Sequence, residues 1–346
     1  MDTEYYARRF DSAAKGLCNG LFASVSALPD TIKAQAQEIR IRVNRPVAIY
    51  CTNKMYYLTE DGRPVTTFVN GKMRNVTQQE VLETFQNLCG YSVYSHQKEI
   101  QNGFLTIRGG HRAGICGTAV YKDRALTNIR DVSSVNIRIA RQVDGAADPL
   151  LEALGTDFKG LLLCGAPACG KTTVLRDLAR QLTDTGRKKV CVIDERGELA
   201  GTYAGVCQND LGQSDILNGY TKGEGIMQAL RCLSPDIIIC DEAGSSEDVQ
   251  AIAQGVNAGV SIVASIHAAT PQELLARSQG RMLLKTGAFE SVVFFKGRQK
   301  PGEMKEIKKT KELFYATLGG RNGNYTFRRT DRPLCVAAAY SKGLFF

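Results

Sequence analysis

The stretch from Leu161 to Leu182, LLLCGAPACGKTTVLRDLARQL, constrains this chain more than any other. Its apolar opening, Leu161-Leu162-Leu163-Cys164, has the composition of a buried parallel strand. Then come Gly165, Ala166, Pro167, Ala168, Cys169, Gly170, Lys171, Thr172 and Thr173, and the first eight of these satisfy the pattern G-x-x-x-x-G-K-[ST]. Leu175, Leu178, Ala179 and Leu182 follow at helical spacing. Strand, glycine-bounded loop and helix form the setting in which backbone N–H groups cradle phosphate oxygens. Gly165 and Gly170 are expected to let the backbone curl inward. The helix N-terminus adds positive potential at the same place. Lys171 is placed to reach the β- and γ-phosphates of a nucleotide, and the Thr172 hydroxyl to hold Mg²⁺.

The expected partners lie downstream, at the ends of further apolar strands. Residues 188–193 read as a second core strand ending in Asp194-Glu195-Arg196-Gly197-Glu198. Residues 209–217 read as loop, and residues 224–233 as a helix with Arg231 near its end, broken by Ser234-Pro235. Ile237-Ile238-Ile239-Cys240 then leads to Asp241-Glu242, 70 positions after Lys171 (241 − 171). Carboxylates at the C-terminal ends of parallel strands face the crevice where such sheets bind ligand. Asp241 is thus expected to hold Mg²⁺ and Glu242 to orient or deprotonate the attacking water, with Glu195 as the rival for that role. A fourth strand, residues 261–266, ends at His267, which is expected to sense the γ-phosphate or support the group that does. Thr270 and Glu273 read as a capping box opening the next helix, with Pro271 at its first position.

Before the phosphate loop, residues 1–145 read as a separate α+β domain. Residues 38–46 alternate apolar and charged side chains as a strand does, and Thr77 with Glu80 forms a capping box. A hairpin is expected over residues 103–121, turning at Gly109-Gly110-His111-Arg112, and residues 144–149 read as a linker. Arg108, Arg112, Arg138 and Arg141 cluster near the boundary, where an arginine could reach a γ-phosphate or simply lie on strand edges. Residues 146–300 form the nucleotide domain, and 301–346 a basic C-terminal extension, in part disordered. The eleven cysteines include no C-x-x-C pair and sit singly in apolar runs, which favours buried reduced thiols over a zinc site or disulfide framework. Cys169 is read either as a reactive thiol or as a small filler. From Lys285 to Phe346 there are 13 Lys and Arg against 5 Asp and Glu, so +8 of the net charge of +9 falls in this stretch. It suits anionic lipid, nucleic acid or an acidic partner, or else is a solvated surface. The absence of a long apolar run and of a leader-like start leads us to expect a cytosolic protein.

Taken together, GAPACGKTT, the acidic box VIDERGE, IIICDE and SIHAAT resemble the secretion-type AAA-like ATPases, the hexameric motors of type II and type IV secretion and of pilus retraction. Arg231, in LRCLSPDIII, is similar to the arginine that precedes the second acidic strand in that family. Two features depart from it. Asp241-Glu242-Ala243-Gly244 stands where the family has G-E-I-R-D, and the four-cysteine zinc module of some members is missing. EIRIRVNRP, GFLTIRGGHRAGICG, VNIRIARQ, VIDERGELAG and QNDLG resemble one branch, the stage III sporulation protein AA family of endospore-forming bacteria. The resemblance covers about residues 35–300. It implies a RecA-like P-loop fold with a mostly parallel sheet and ATP and Mg²⁺ as ligands. It further implies a homo-oligomeric, hexameric ring bound peripherally to membrane proteins of a channel complex between mother cell and forespore. The competing readings are a nucleic-acid-binding P-loop ATPase using the basic C-terminal stretch, and a scaffold that binds ATP but scarcely hydrolyses it.

Overall fold

Two seven-stranded sheets organise the chain. The computed structural model describes residues 3–51, 54–68, 71–101 and 103–318. These fall into two compact units. The first comprises the chain up to Asp148, Thr172–Arg187 and Val192–Tyr220; the second comprises Pro149–Lys171, Lys188–Cys191 and the chain from Thr221 onward.

The first sheet is antiparallel and contains β1 (Ala36–Arg42), β2 (Ala48–Cys51), β3 (Met55–Leu58), β4 (Pro64–Val65), β5 (Phe104–Ile107), β6 (His111–Lys122) and β7 (Ala125–Arg138), in the order β4-β3-β2-β1-β7-β6-β5. The alternation in Glu38-Ile39-Arg40-Ile41-Arg42 becomes an alternation of burial, because successive strand side chains face opposite ways. Ile39 stands opposite both Ile49 and Ile137, so one register puts three apolar residues on the core face. Phe10, Leu21, Phe85 and Leu105 complete that core. Helix Gln78–Leu88 begins with both halves of the capping box, Thr77 and Glu80, in place. The expected hairpin is β5–β6, but its turn is shorter than expected, residues 108–110, so His111 and Arg112 already belong to β6; β6 then pairs along its length with β7, which starts at Ala125. The expected linker also gives way at Asp148 to a helix, Asp148–Leu154.

The second sheet contains β8 (Leu161–Cys164), β9 (Val190–Asp194), β10 (Asp215–Asn218), β11 (Ile237–Cys240), β12 (Ser261–Ile266), β13 (Ser291–Phe295) and β14 (Met304–Lys309), in the order β10-β9-β11-β12-β8-β13-β14. β10 lies where the sequence reads as loop, since its four residues carry no periodic apolar pattern. Within the second unit, β11, β12, β8 and β13 pair in parallel, and β8, β11 and β13 are buried along their whole length. Parallel strands covered on both faces have no polar side to alternate with, which explains their unbroken apolar runs. The register Cys164↔Ile266 brings the C-terminal ends of β8 and β12 level, and Cys240↔Ala264 ends β11 two residues short of them. β14 pairs antiparallel with β13 and leads into helix Thr310–Leu318, both inside the stretch read as a basic extension. The rest of that extension, residues 319–346, lies outside the described residues.

Candidate nucleotide site

Because three parallel strands end within two residues of one another, the residues that follow them meet at one edge of the sheet. The loop after β8 runs from Gly165 to Gly170, and helix Lys171–Asp184 starts immediately. Two residues of this loop lie in the left-handed region, Ala168 at φ 60° and Gly170 at φ 95°. For Ala168 that conformation costs about 1–2 kcal/mol. Gly165 does not use its conformational freedom. It must be glycine because a Cβ there would overlap the Cys169 thiol. Cys169 is fully buried beneath the loop, which makes it the small filler rather than an accessible nucleophile. Cys164 is likewise enclosed, and burial raises its pKa.

Lys171 is only 5% exposed. Its Nζ donates to the carbonyls of Gly165 at 2.9 Å and Ala166 at 3.0 Å, and lies 3.3 Å from Nδ1 of His267. An ammonium has no lone pair, so Nδ1 must be the acceptor. The imidazole proton is then on Nε2, which donates to Oε1 of Glu242 at 2.8 Å. Lys171, His267 and Glu242 thus form one directed chain of hydrogen bonds, with His267 neutral between a cation and an anion.

Asp241 and Glu242 leave the end of β11 beside Ser265 of β12. The Ser265 hydroxyl donates to Asp241 and accepts from the Glu242 N–H at 3.0 Å, and it is fully buried. Glu242 itself has φ 51°, a strained value for a residue with a side chain. Ser265 is not among the site residues expected from the motifs. Its signal is a hydroxyl inside the otherwise apolar run Ser261–Ile266, where a buried polar group needs partners. Thr270 caps the next helix by accepting from Glu273 N–H, but the Glu273 carboxylate bonds Ala269 N–H instead of closing the expected box. That bond holds the Glu273 carboxyl below its ordinary pKa.

The second unit therefore joins Lys171, Asp241, Glu242 and His267. Thr172 and Thr173 follow on the helix, half-buried. Arg231 is exposed on the last turn of helix Lys222–Cys232. In the first unit, Asp194 is buried, and its carboxylate accepts the N–H groups of Glu198, Leu199 and Ala200 at 2.7–3.1 Å. Glu195 is exposed. Glu198 pairs with Arg112, and its carbonyl accepts Arg176 at 2.6 Å. Arg112 also stacks on Phe104 at 3.9 Å. Arg141 donates to the carbonyls of Ala34 and Ala36 and lies over Tyr6, a fixed structural role. Arg138 is mostly exposed and pairs with Glu38 at 3.3 Å; Arg108 is exposed on the β5–β6 turn. Among the described residues no cluster of three or more His, Cys, Asp or Glu could hold a metal by itself, and the cysteines are free thiols.

The strand order and the loop at its edge define a P-loop NTPase fold of the RecA-like kind, preceded in the chain by an α+β part. A solved structure, the ATPase DotB of Yersinia pseudotuberculosis, superposes with a TM-score of 0.51 at 14% identity, covering 80% of this chain and 75% of that one. The family model described as sporulation stage III, protein AA matches residues 25–313, and the chain belongs to that family. It is 35% identical over 291 residues to Stage III sporulation protein AA of Bacillus subtilis (strain 168), covering 82% of this chain and 90% of the relative. It is also 29% identical over 189 residues to Protein SEEDLING PLASTID DEVELOPMENT 1 of Arabidopsis thaliana, covering 53% of this chain and 26% of that protein. Among the described residues no helix is long and apolar enough to cross a membrane.

Proposed function

We propose that this chain hydrolyses ATP and works as the motor or assembly ATPase of a membrane-associated channel complex in endospore formation, between mother cell and forespore. The observation that carries the reading is the Lys171–His267–Glu242 hydrogen-bond chain beside Asp241, at the C-terminal strand ends. Lys171 leaves the carbonyls of Gly165 and Ala166 to grip the β- and γ-phosphates, a favourable exchange because phosphate oxygens carry charge. Thr172 and Asp241 supply oxygen donors, the ligand type Mg²⁺ prefers, and are the residues that would hold it. The ion, when bound, neutralises charge developing on the phosphates. Glu242 orients the attacking water or takes its proton, and the Nε2–H of His267 keeps its carboxylate in place. Within this reading the chain acts in the cytoplasm as a homo-oligomeric, hexameric ring docked on membrane proteins. Residues 1–145 form one domain, 146–300 the ATPase domain and 301–346 a basic extension. Arg231 serves as a further phosphate-region arginine.

The test is phosphate release with solution mass measured with and without ATP·Mg²⁺, on wild type and Lys171→Ala. Wild type should hydrolyse ATP and enlarge on binding it. Lys171→Ala should lose tight binding, since each charge-assisted hydrogen bond is worth about 1.5–3 kcal/mol. Near-normal ATP affinity in folded Lys171→Ala would refute the site. Steeply salt-dependent binding to single-stranded DNA would favour a nucleic-acid motor instead.

A further inference from the structure

The β13–β14 turn, residues 296–303, is not part of any nucleotide-binding motif, yet it touches the phosphate loop. β13 is the parallel neighbour of β8, with Phe294 opposite Cys164, so the segments that follow the two strands emerge side by side. The Gly302 N–H donates to the Cys169 carbonyl at 2.8 Å. Backbone lies against backbone here. A Cβ on Gly170 would run into the Gly302 nitrogen and sit 3.0 Å from its Cα. At the other end of the loop, a Cβ on Gly165 would lie 3.3 Å from Cβ of Phe295. The turn is braced as one piece. Lys296 N–H donates to the Glu303 carbonyl at 2.9 Å, Lys296 Nζ reaches the Glu303 carboxylate at 2.9 Å, and Lys300 N–H donates to the Gly297 carbonyl at 3.2 Å.

We infer that this turn positions the phosphate loop through Gly302, an inference that rests on the nucleotide-site reading above. In a planar trans peptide the C=O and the following N–H point to opposite sides. Tying the Cys169 carbonyl to Gly302 therefore aims the Gly170 N–H away from the turn, toward the side on which a phosphate is gripped. Gly302 is a positioning residue. It fixes one of the loop's anion-binding donors from more than a hundred residues downstream in sequence.

The experiment measures the affinity of the full chain for a fluorescent ATP analogue with Mg²⁺, alongside melting temperature without nucleotide. Gly302→Pro removes the N–H, and proline cannot adopt φ 84°. Gly297→Pro is its matched control, because Gly297 also has positive φ, 110°, but no atom within 4 Å of its Cβ position and no bond to the loop. Gly302→Ala keeps the N–H and meets no atom within 4 Å, and φ 84° strains the alanine backbone without removing the donor. We expect about a tenfold loss of affinity for Gly302→Pro, the worth of roughly one oriented hydrogen bond to an anion. Gly297→Pro and Gly302→Ala should stay within about twofold of wild type. Equal affinities for the two proline variants overturn the inference. If Gly302→Pro does not fold, replacing residues 297–302 by Asn-Gly keeps the strand pair and should give the same loss; wild-type affinity in that variant overturns the inference too. Lys171→Ala separates the two readings. If it weakens binding while the prolines match, only the positioning role of Gly302 falls. A wild type that binds no nucleotide removes both.

Discussion

Asp194 and Asp241 occupy equivalent places in the sequence, each closing a short apolar strand and each followed by glutamate, yet they have different surroundings. Asp194 is 2% exposed and accepts three backbone N–H groups from the turn at residues 198–200. Its charge is consumed in holding that turn. Around it Glu198, Arg112 and Arg176 form further braces within the first unit. Asp241 is half-exposed, and a serine hydroxyl and the neighbouring Glu242 N–H engage one of its oxygens. Next to it Glu242 is tied to His267 and so to Lys171. The lesson is that a strand-end carboxylate closed round by backbone donors of its own turn acts as a brace, whereas one linked to side chains of neighbouring strands can, under the proposed function, serve a nucleotide.

The sharpest way to break the comparison is to neutralise the glutamate after each aspartate. Glu242→Gln should lower single-turnover ATP hydrolysis by about 10²–10⁴ while nucleotide affinity changes little, because positioned acid–base groups contribute that much. Glu195→Gln, at an exposed position, should stay near the wild-type rate. If Glu242→Gln keeps the wild-type rate and Glu195→Gln does not, the base belongs to the other strand.

The aspartates themselves should show the reverse ranking in stability. Asp194→Asn sets an amide N–H against backbone donors and should cost about 3 kcal/mol of unfolding free energy. Asp241→Asn should cost about 1 kcal/mol. Urea denaturation of both variants checks this, and equal losses would mean that Asp194 is no more of a brace than Asp241.

Two of the three histidines sharpen the same contrast. His111 and His267 both accept through Nδ1, from Ala140 N–H at 3.0 Å and from Lys171 Nζ respectively. His111 is buried with no partner for Nε2, and burial pulls its pKa from 6.5 to about 3. The unfolded chain then binds a proton between these values that the folded chain refuses, so stability is full above pH 6.5 and falls as pH drops toward 3. At pH 5 the loss should be about 2 kcal/mol relative to pH 7. Urea melts at both pH values should show this for wild type and a flatter dependence for His111→Gln. An unchanged pH dependence in the variant would mean that another group is responsible.

Much of this architecture was legible in the chain. The run Leu161–Cys164, the glycine-bounded loop and the helical spacing after Lys171 specify a strand, a phosphate loop and a helix, because each is set by neighbours within a few residues. Ile237–Cys240 and residues 261–266 read correctly as buried strands for the same local reason. β10 and the first half of β7 did not, because neither stretch carries a clean alternation. Their strand form comes from pairing with a neighbouring strand. The capping box at Thr270 was half right, since Glu273 found a closer donor in Ala269.

What sequence alone determined is therefore the strands and helix around the phosphate loop and the identity of the acids, the lysine and the histidine that end them. What only the tertiary structure decided is which of these residues touch. The register Cys240↔Ala264 places Asp241 beside Ser265, and Cys164↔Ile266 places Lys171 within reach of His267. The same sheet order brings Gly302 onto the phosphate loop. Hydrogen bonds between strands act across tens to hundreds of residues of chain. Local periodicity therefore does not encode the partner of a given carbonyl or carboxylate, and packing must supply it.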